Sequence, residues 1–207
     1  MNRLLRVSLT TTLLLAASAL PALAGGIAIG DRAPKADTRL KNVDGKEVSI
    51  AAVKGQKGTL VVFSCNACPW AQAWESRIAE LGNEYSKKGV GVIVINPNDP
   101  AVNAEDGFDV MVQRAKDRKM TYAYAVDGTS DLARAFGATR TPEAFLFDRS
   151  GKLVYHGAVD DNAKEPEKVE KRWLKDALDA VLAGKPVPVA ETKALGCSIK
   201  FRSTSAS

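Results

Sequence analysis

The sequence predicts an α/β domain, a central mixed sheet flanked by helices, with an extended C-terminal tail. Three observations predict it. Two apolar, β-branched runs, residues 59–64 and 89–96, bracket one segment of helical periodicity. Two further short apolar runs around a Ser-Gly turn, residues 143–148 and 152–156, read as a closing antiparallel hairpin. A second amphipathic segment follows, residues 165–182.

The chain has 207 residues, enough for one ordinary domain and a tail. Arg3 and Arg6 precede an apolar stretch over residues 7–20, and Ala22-Leu23-Ala24 supplies a small-x-small cleavage pattern. Residues 1–24 therefore read as a secretory signal peptide cut before Gly25, residues 25–184 as the domain and residues 185–207 as the tail. The expected location is periplasmic or otherwise exported. Without Arg3 and Arg6 the chain keeps 27 basic against 24 acidic residues, a net charge of +3. No dense basic run accompanies that mild excess, which argues against a nucleic-acid partner. Export implies an oxidising compartment, and three cysteines cannot all pair internally.

Residues 40–50 read as a small hairpin turning at Asp44-Gly45. The run at 59–64 reads as a buried central strand. From residue 66 to 88, Ala71, Trp74, Ile78, Leu81 and Tyr85 recur at steps of three and four, the apolar face of a helix. Pro69 falls in its first turns, where a kink is expected. The run at 89–96 is the next buried strand, joined by a right-handed parallel crossover. The turn-rich loop at 97–107 lies at a strand's carboxyl end, the edge where open α/β sheets bind ligands. Residues 108–119 read as a helix with Val110, Met111, Val112 and Ala115 inward. Residues 122–126 read as a strand, and 130–136 as a short helix ended by Gly137. In the last helix, Val169, Trp173, Leu174, Ala177, Leu178 and Val181 share one face. Residues 184–189 read as an extended linker, and 203–207 as a disordered end.

The chemistry sits at Cys65 and Cys68, spaced C-x-x-C where the strand meets the helix. Unpaired N–H groups of a first helical turn favour a thiolate, which is expected at Cys65. Cys68, one turn on, is placed to attack a disulfide formed on Cys65.

The order strand, C-x-x-C, helix, parallel strand, Thr-Pro and hairpin resembles the thioredoxin fold over roughly residues 33–182. It is most similar to exported peroxiredoxin-like (AhpC/TSA, redoxin) proteins. The carriers are Cys65-Asn66-Ala67-Cys68-Pro69, Thr141-Pro142-Glu143-Ala144-Phe145-Leu146-Phe147-Asp148, Tyr155-His156-Gly157-Ala158-Val159-Asp160-Asp161-Asn162, and the tail around Gly196-Cys197-Ser198-Ile199-Lys200. The resemblance implies a thiol–disulfide oxidoreductase with Cys65 attacking, Cys68 resolving, and Thr141-Pro142 as a cis-proline pair facing the thiols. Its partners would be protein or small-molecule thiols and disulfides, with a membrane or soluble electron donor. It calls for no cofactor. The chain departs from thioredoxin in the residues around its cysteines, and residues 59–64 lack the buried carboxylate that serves proton transfer there. No proton acceptor for Cys68 is evident.

Other readings stay open. A thiol peroxidase of this group carries Pro-x-x-x-Thr/Ser-x-x-Cys; counting back from Cys65, Cys68 and Cys197 meets neither the hydroxyl nor the proline. A copper-handling module would use the two thiolates and His156, the single histidine. A structural Cys65–Cys68 disulfide on a binding domain is the plainest alternative. Cys197 is either a buried tail anchor or a third redox thiol. Arg140 either adds positive potential near Cys65 or is a solvated loop residue. Trp70 and Trp74 either border a substrate groove or pack.

Overall fold

The computed structural model describes residues 25–203. The leader at 1–24 and residues 204–207 of the expected disordered end lie outside the described residues. Nine strands and four helices follow in order: β1 (Leu40–Asn42), β2 (Glu47–Val48), β3 (Gly58–Phe63), α1 (Pro69–Lys87), β4 (Val90–Asn96), α2 (Phe108–Asp117), β5 (Ala123–Val126), α3 (Asp131–Phe136), β6 (Arg140–Thr141), β7 (Glu143–Asp148), β8 (Leu153–Gly157), α4 (Trp173–Leu182) and β9 (Cys197–Ser198). Seven strands form one sheet in the order β2-β1-β5-β4-β3-β7-β8, and β6 pairs with β9 separately. Strands β3, β4 and β5 run parallel, while β7 lies antiparallel to β3 and β8 antiparallel to β7. The fold is the mixed α/β sheet that the hydrophobic runs predict.

Strand β3 is buried along its whole length because both sheet faces are covered. Alternation then sends Leu60 and Val62 to one core, with Trp74 and Ile78 of α1 and Leu174 and Leu178 of α4. Val61 and Phe63 go to the other, with Leu132 and Phe136 of α3 and Phe145 of β7. The rings of Phe63, Phe136 and Phe145 meet edge to face at 5.2–5.8 Å.

Three expectations change. Helix α1 begins at Pro69, not at residue 66. The amides of Asn66 and Ala67 both donate to the Asp106 carboxylate, 2.7 and 3.2 Å away, which holds them out of a helix. The residue before a proline disfavours helical geometry, and Cys68 is extended at φ −78°, ψ 124°. Pro69 thus starts the helix, where its missing N–H costs nothing, and does not kink it. The segment 165–182 is likewise split. A short 3₁₀ turn (Pro166–Lys168) precedes an extended stretch pinned by Asp161, whose amide donates to the Lys171 carbonyl and whose carboxylate accepts from the Glu170 amide. Val169 is therefore off the α4 face. On α2 only Met111 and Ala115 are buried, whereas Val110 and Val112 are partly exposed.

The tail docks. The His156 amide donates to the Ala190 carbonyl, and Thr192 returns a bond to the His156 carbonyl. The chain then crosses to the thiols as β9, with Cys197 registered opposite Thr141. Ile199 is buried, and the Lys200 amide donates to the Asn98 side chain.

Candidate functional site

Cys68 occupies the N-cap of α1, and Cys65 lies three residues earlier in the β3–α1 connection. The helix end expected under Cys65 is under Cys68. Both residues are buried, at 6% and 4% exposure, and they cluster with Ala71 and the half-buried Cys197. The Thr141–Pro142 peptide is cis. The Thr141 hydroxyl is 3.0 Å from the Cys65 sulfur, and its carbonyl oxygen is 3.3 Å from the Cys68 sulfur. The Cys197 amide donates to the Cys68 sulfur at 3.4 Å.

These contacts set where charge sits. The Cys68 thiol is drawn down to about 5, first by the hydrogen bond from Cys65, then by donors from Cys197 and the Ala71 amide, against the cost of burial. Cys65 moves well upward because it donates to Cys68, is buried, and feels the Asp106 charge. Cys197 rises to about 11, through burial and then its contact with Cys68. The two thiols are thus driven apart, Cys68 down and Cys65 up, with the Thr141 hydroxyl on the Cys65 sulfur and the Thr141 carbonyl accepting from Cys68.

A pH prediction follows. In the reduced protein, thiolate absorbance at 240 nm should titrate near pH 5. Cys65→Ala, which removes the donor, should move that step up by about 1–2 units, because a hydrogen bond to a charged group is worth about 1.5–3 kcal/mol. A wild-type step near 9 would contradict the assignment. Since Cys68 is depressed on folding, its stabilisation is complete above about pH 9 and is lost as pH falls through 5. Cys197 is raised, so its contribution is present below 9 and lost as pH rises through about 11.

Spacing did not reveal the supporting groups. Asp106, buried at 3% exposure, accepts from the amides of Asn66 and Ala67 and from the Asn98 side chain. The Asn66 side chain accepts from the Tyr124 hydroxyl and donates to the Glu105 carbonyl. The turn-rich loop at 97–107 thus clamps the C-x-x-C segment, and its position at a strand's carboxyl end was the available signal. Beside Pro142, the Glu143 carboxylate is buried, accepting from the amides of Thr139 and Arg140 and lying 2.6 Å from His156 Nε2. His156 also stacks on Phe145. It is committed to Glu143, and no group of three or more metal-ligating side chains occurs among the described residues.

Arg140 is neither free nor aimed at Cys65: its guanidinium reaches the Ser198 hydroxyl at 3.1 Å and the Gly196 carbonyl. Trp74 is wholly buried, with its indole N–H on Asp160, and so packs rather than lining a groove. Trp70 is 38% exposed beside it.

The Redoxin family profile matches residues 28–172. The chain belongs to the Redoxin family. Its sheet order and its cysteines at the head of α1 are those of a thioredoxin-like fold. Among characterised relatives, the thiol-disulfide oxidoreductase ResA of Geobacillus thermodenitrificans is 27% identical over 127 residues, 61% of this chain and 67% of that protein. Two solved structures superpose over most of the redoxin. A hypothetical protein from Sinorhizobium meliloti 1021 is 31% identical, with a TM-score of 0.79 over 87% of this chain and 98% of its own. An uncharacterized conserved protein from Geobacillus kaustophilus is 34% identical, with a TM-score of 0.79 over 86% and 94%.

Proposed function

We propose that this redoxin is an exported thiol–disulfide oxidoreductase working through Cys65 and Cys68. The observation that carries the reading is the placement of both sulfurs under one cis-proline loop at the head of α1. The Thr141 hydroxyl lies 3.0 Å from Cys65 and its carbonyl 3.3 Å from Cys68, so two thiols are held side by side where a disulfide can open and close. The activity named for the ResA relative agrees with this chemistry. Thr141, Pro142 and Trp70 border the thiols and are assigned substrate contact. The signal-like leader supports export. Substrates are thiols or disulfides of proteins or small molecules, and an electron donor, soluble or in the membrane, resets the pair.

In the reducing direction the thiolate attacks a substrate disulfide, forming a mixed disulfide and releasing one substrate thiolate. The second cysteine then displaces the other half and leaves an internal disulfide. The test is turnover of dithiothreitol with a disulfide substrate by the purified protein and by the double variant Cys65→Ser/Cys68→Ser. The double variant should fall to the uncatalysed background. Turnover retained at the wild-type rate would reject the reading.

A further inference from the structure

The pair has an access problem. Cys65 and Cys68 are both nearly sealed from solvent, and the strand that seals them is the chain's own tail. Strand β9 pairs antiparallel with β6, so the edge beside Pro142, where an extended substrate chain would lie, is already taken. The tail is fixed on both sides of the contact. Upstream, Gly196 lies so close to Thr141 that a Cβ there would sit 2.2 Å from the Thr141 carbonyl oxygen. Downstream, Ile199 is buried and donates its amide to the Thr139 carbonyl. Arg140 grips Gly196 and Ser198 across the pairing. Between these anchors stands Cys197. Its amide points at the Cys68 sulfur at 3.4 Å, and its own sulfur receives the Trp70 amide. It is the one cysteine of the three that is not fully buried.

We propose that Cys197 is the exchange thiol of this site, taking the disulfide from Cys65–Cys68 by attack on Cys68 and presenting it at the surface. The proposal rests on the oxidoreductase reading above and names the residue through which that pair meets its partners. In the step, the Cys197 thiolate attacks the Cys68 sulfur. The Cys68–Cys197 bond forms as the Cys65–Cys68 bond breaks. The electron pair leaves on Cys65, which takes up the proton that Cys197 gave up, so the oxidation state of the protein is unchanged. An external thiol then attacks the half-exposed Cys197 sulfur and releases Cys68 as the thiolate its surroundings favour. A second external thiol reduces the mixed disulfide and frees Cys197. Run backwards, an external disulfide is attacked at the surface by Cys197, and the disulfide passes inward.

The experiment uses the purified protein carrying Cys65→Ser, oxidised with diamide, digested without reduction and mapped by mass spectrometry beside a count of free thiols. The expected product is a Cys68–Cys197 cross-link, formed at a rate independent of protein concentration and leaving no free thiol. Adding Gly196→Ala, which pushes β9 off Thr141, should slow that closure by about tenfold through loss of local concentration. Circular dichroism checks that both variants are folded. Two free thiols persisting in folded Cys65→Ser, while the wild type closes Cys65–Cys68, would overturn this proposal and leave the oxidoreductase reading standing. A wild type that closes no internal disulfide would overturn the oxidoreductase reading itself.

Discussion

Serine in place of Cys68 is expected to bring disulfide turnover down to the uncatalysed background, whereas serine in place of Cys65 leaves a slower cycle. Cys68 is the sulfur common to both disulfides proposed above, and the donors of Cys65, Ala71 and Cys197 converge on it. At pH 7 a thiol near 5 is about 99% ionised and one near 9 about 1%. That hundredfold gain in thiolate is not a hundredfold gain in attack, because intrinsic nucleophilicity falls with a Brønsted slope of about 0.4–0.5, and four units cost most of it back. What survives is leaving ability, since a thiol of low pKa departs faster. Cys68 is thus worth most as the sulfur released when a disulfide is opened, and no other residue at the site replaces it. The serine hydroxyl at position 65 still donates to that sulfur, so Cys68 stays largely ionised at neutral pH and what is lost is the partner thiol itself. Turnover should fall by less than about tenfold, with Cys68 and Cys197 forming the remaining pair. Initial rates of dithiothreitol oxidation by the two variants decide it. A dead Cys65→Ser beside an active Cys68→Ser would return the attacking role to Cys65.

The fold was readable because its signals are local. Residues 59–64 and 89–96 are apolar whichever way the chain turns, and α1 repeats its apolar face within five turns. The two cysteines and the cis-proline were readable for the same reason, as short patterns attached to element ends. The start of the helix was not. It depends on Asp106, 40 residues beyond Asn66, binding the two amides that would otherwise have opened the helix at residue 66. Nor was the role of the tail readable. A polar segment with prolines looks like a linker, and only the sheet edge at β6 and the small side of Gly196 show why it lies across the thiols. Composition reports what a segment is made of, and here the deciding contacts lie between segments far apart in the chain.

Glu143 offers the second large effect, on stability and on the cis-proline loop together. One carboxylate oxygen, Oε2, accepts from the amides of Thr139 and Arg140 at 2.8 and 2.9 Å, while Oε1 faces His156 Nε2 at 2.6 Å. These bonds tie β8 to the backbone just before Thr141-Pro142. Glu143→Ala leaves three polar groups without a partner, each costing about 1–3 kcal/mol where water cannot replace it. His156 keeps some solvent and Thr139 and Arg140 are exposed residues, so the sum should come to about 2–4 kcal/mol, still a large share of an ordinary domain's 5–15. For a domain of this size that lowers Tm by about 4–16 °C. Glu143→Gln should do far less. Its amide oxygen accepts both backbone N–H groups, and its NH₂ donates to a neutral His156 that carries its proton on the other ring nitrogen. Urea and thermal unfolding of the two variants separate the cases. If Gln costs as much as Ala, the negative charge rather than the bonding pattern holds the loop. If Ala costs under about 1 kcal/mol, the β6–β9 pairing alone suffices to hold Thr141 over the thiols, and Glu143 is a passenger.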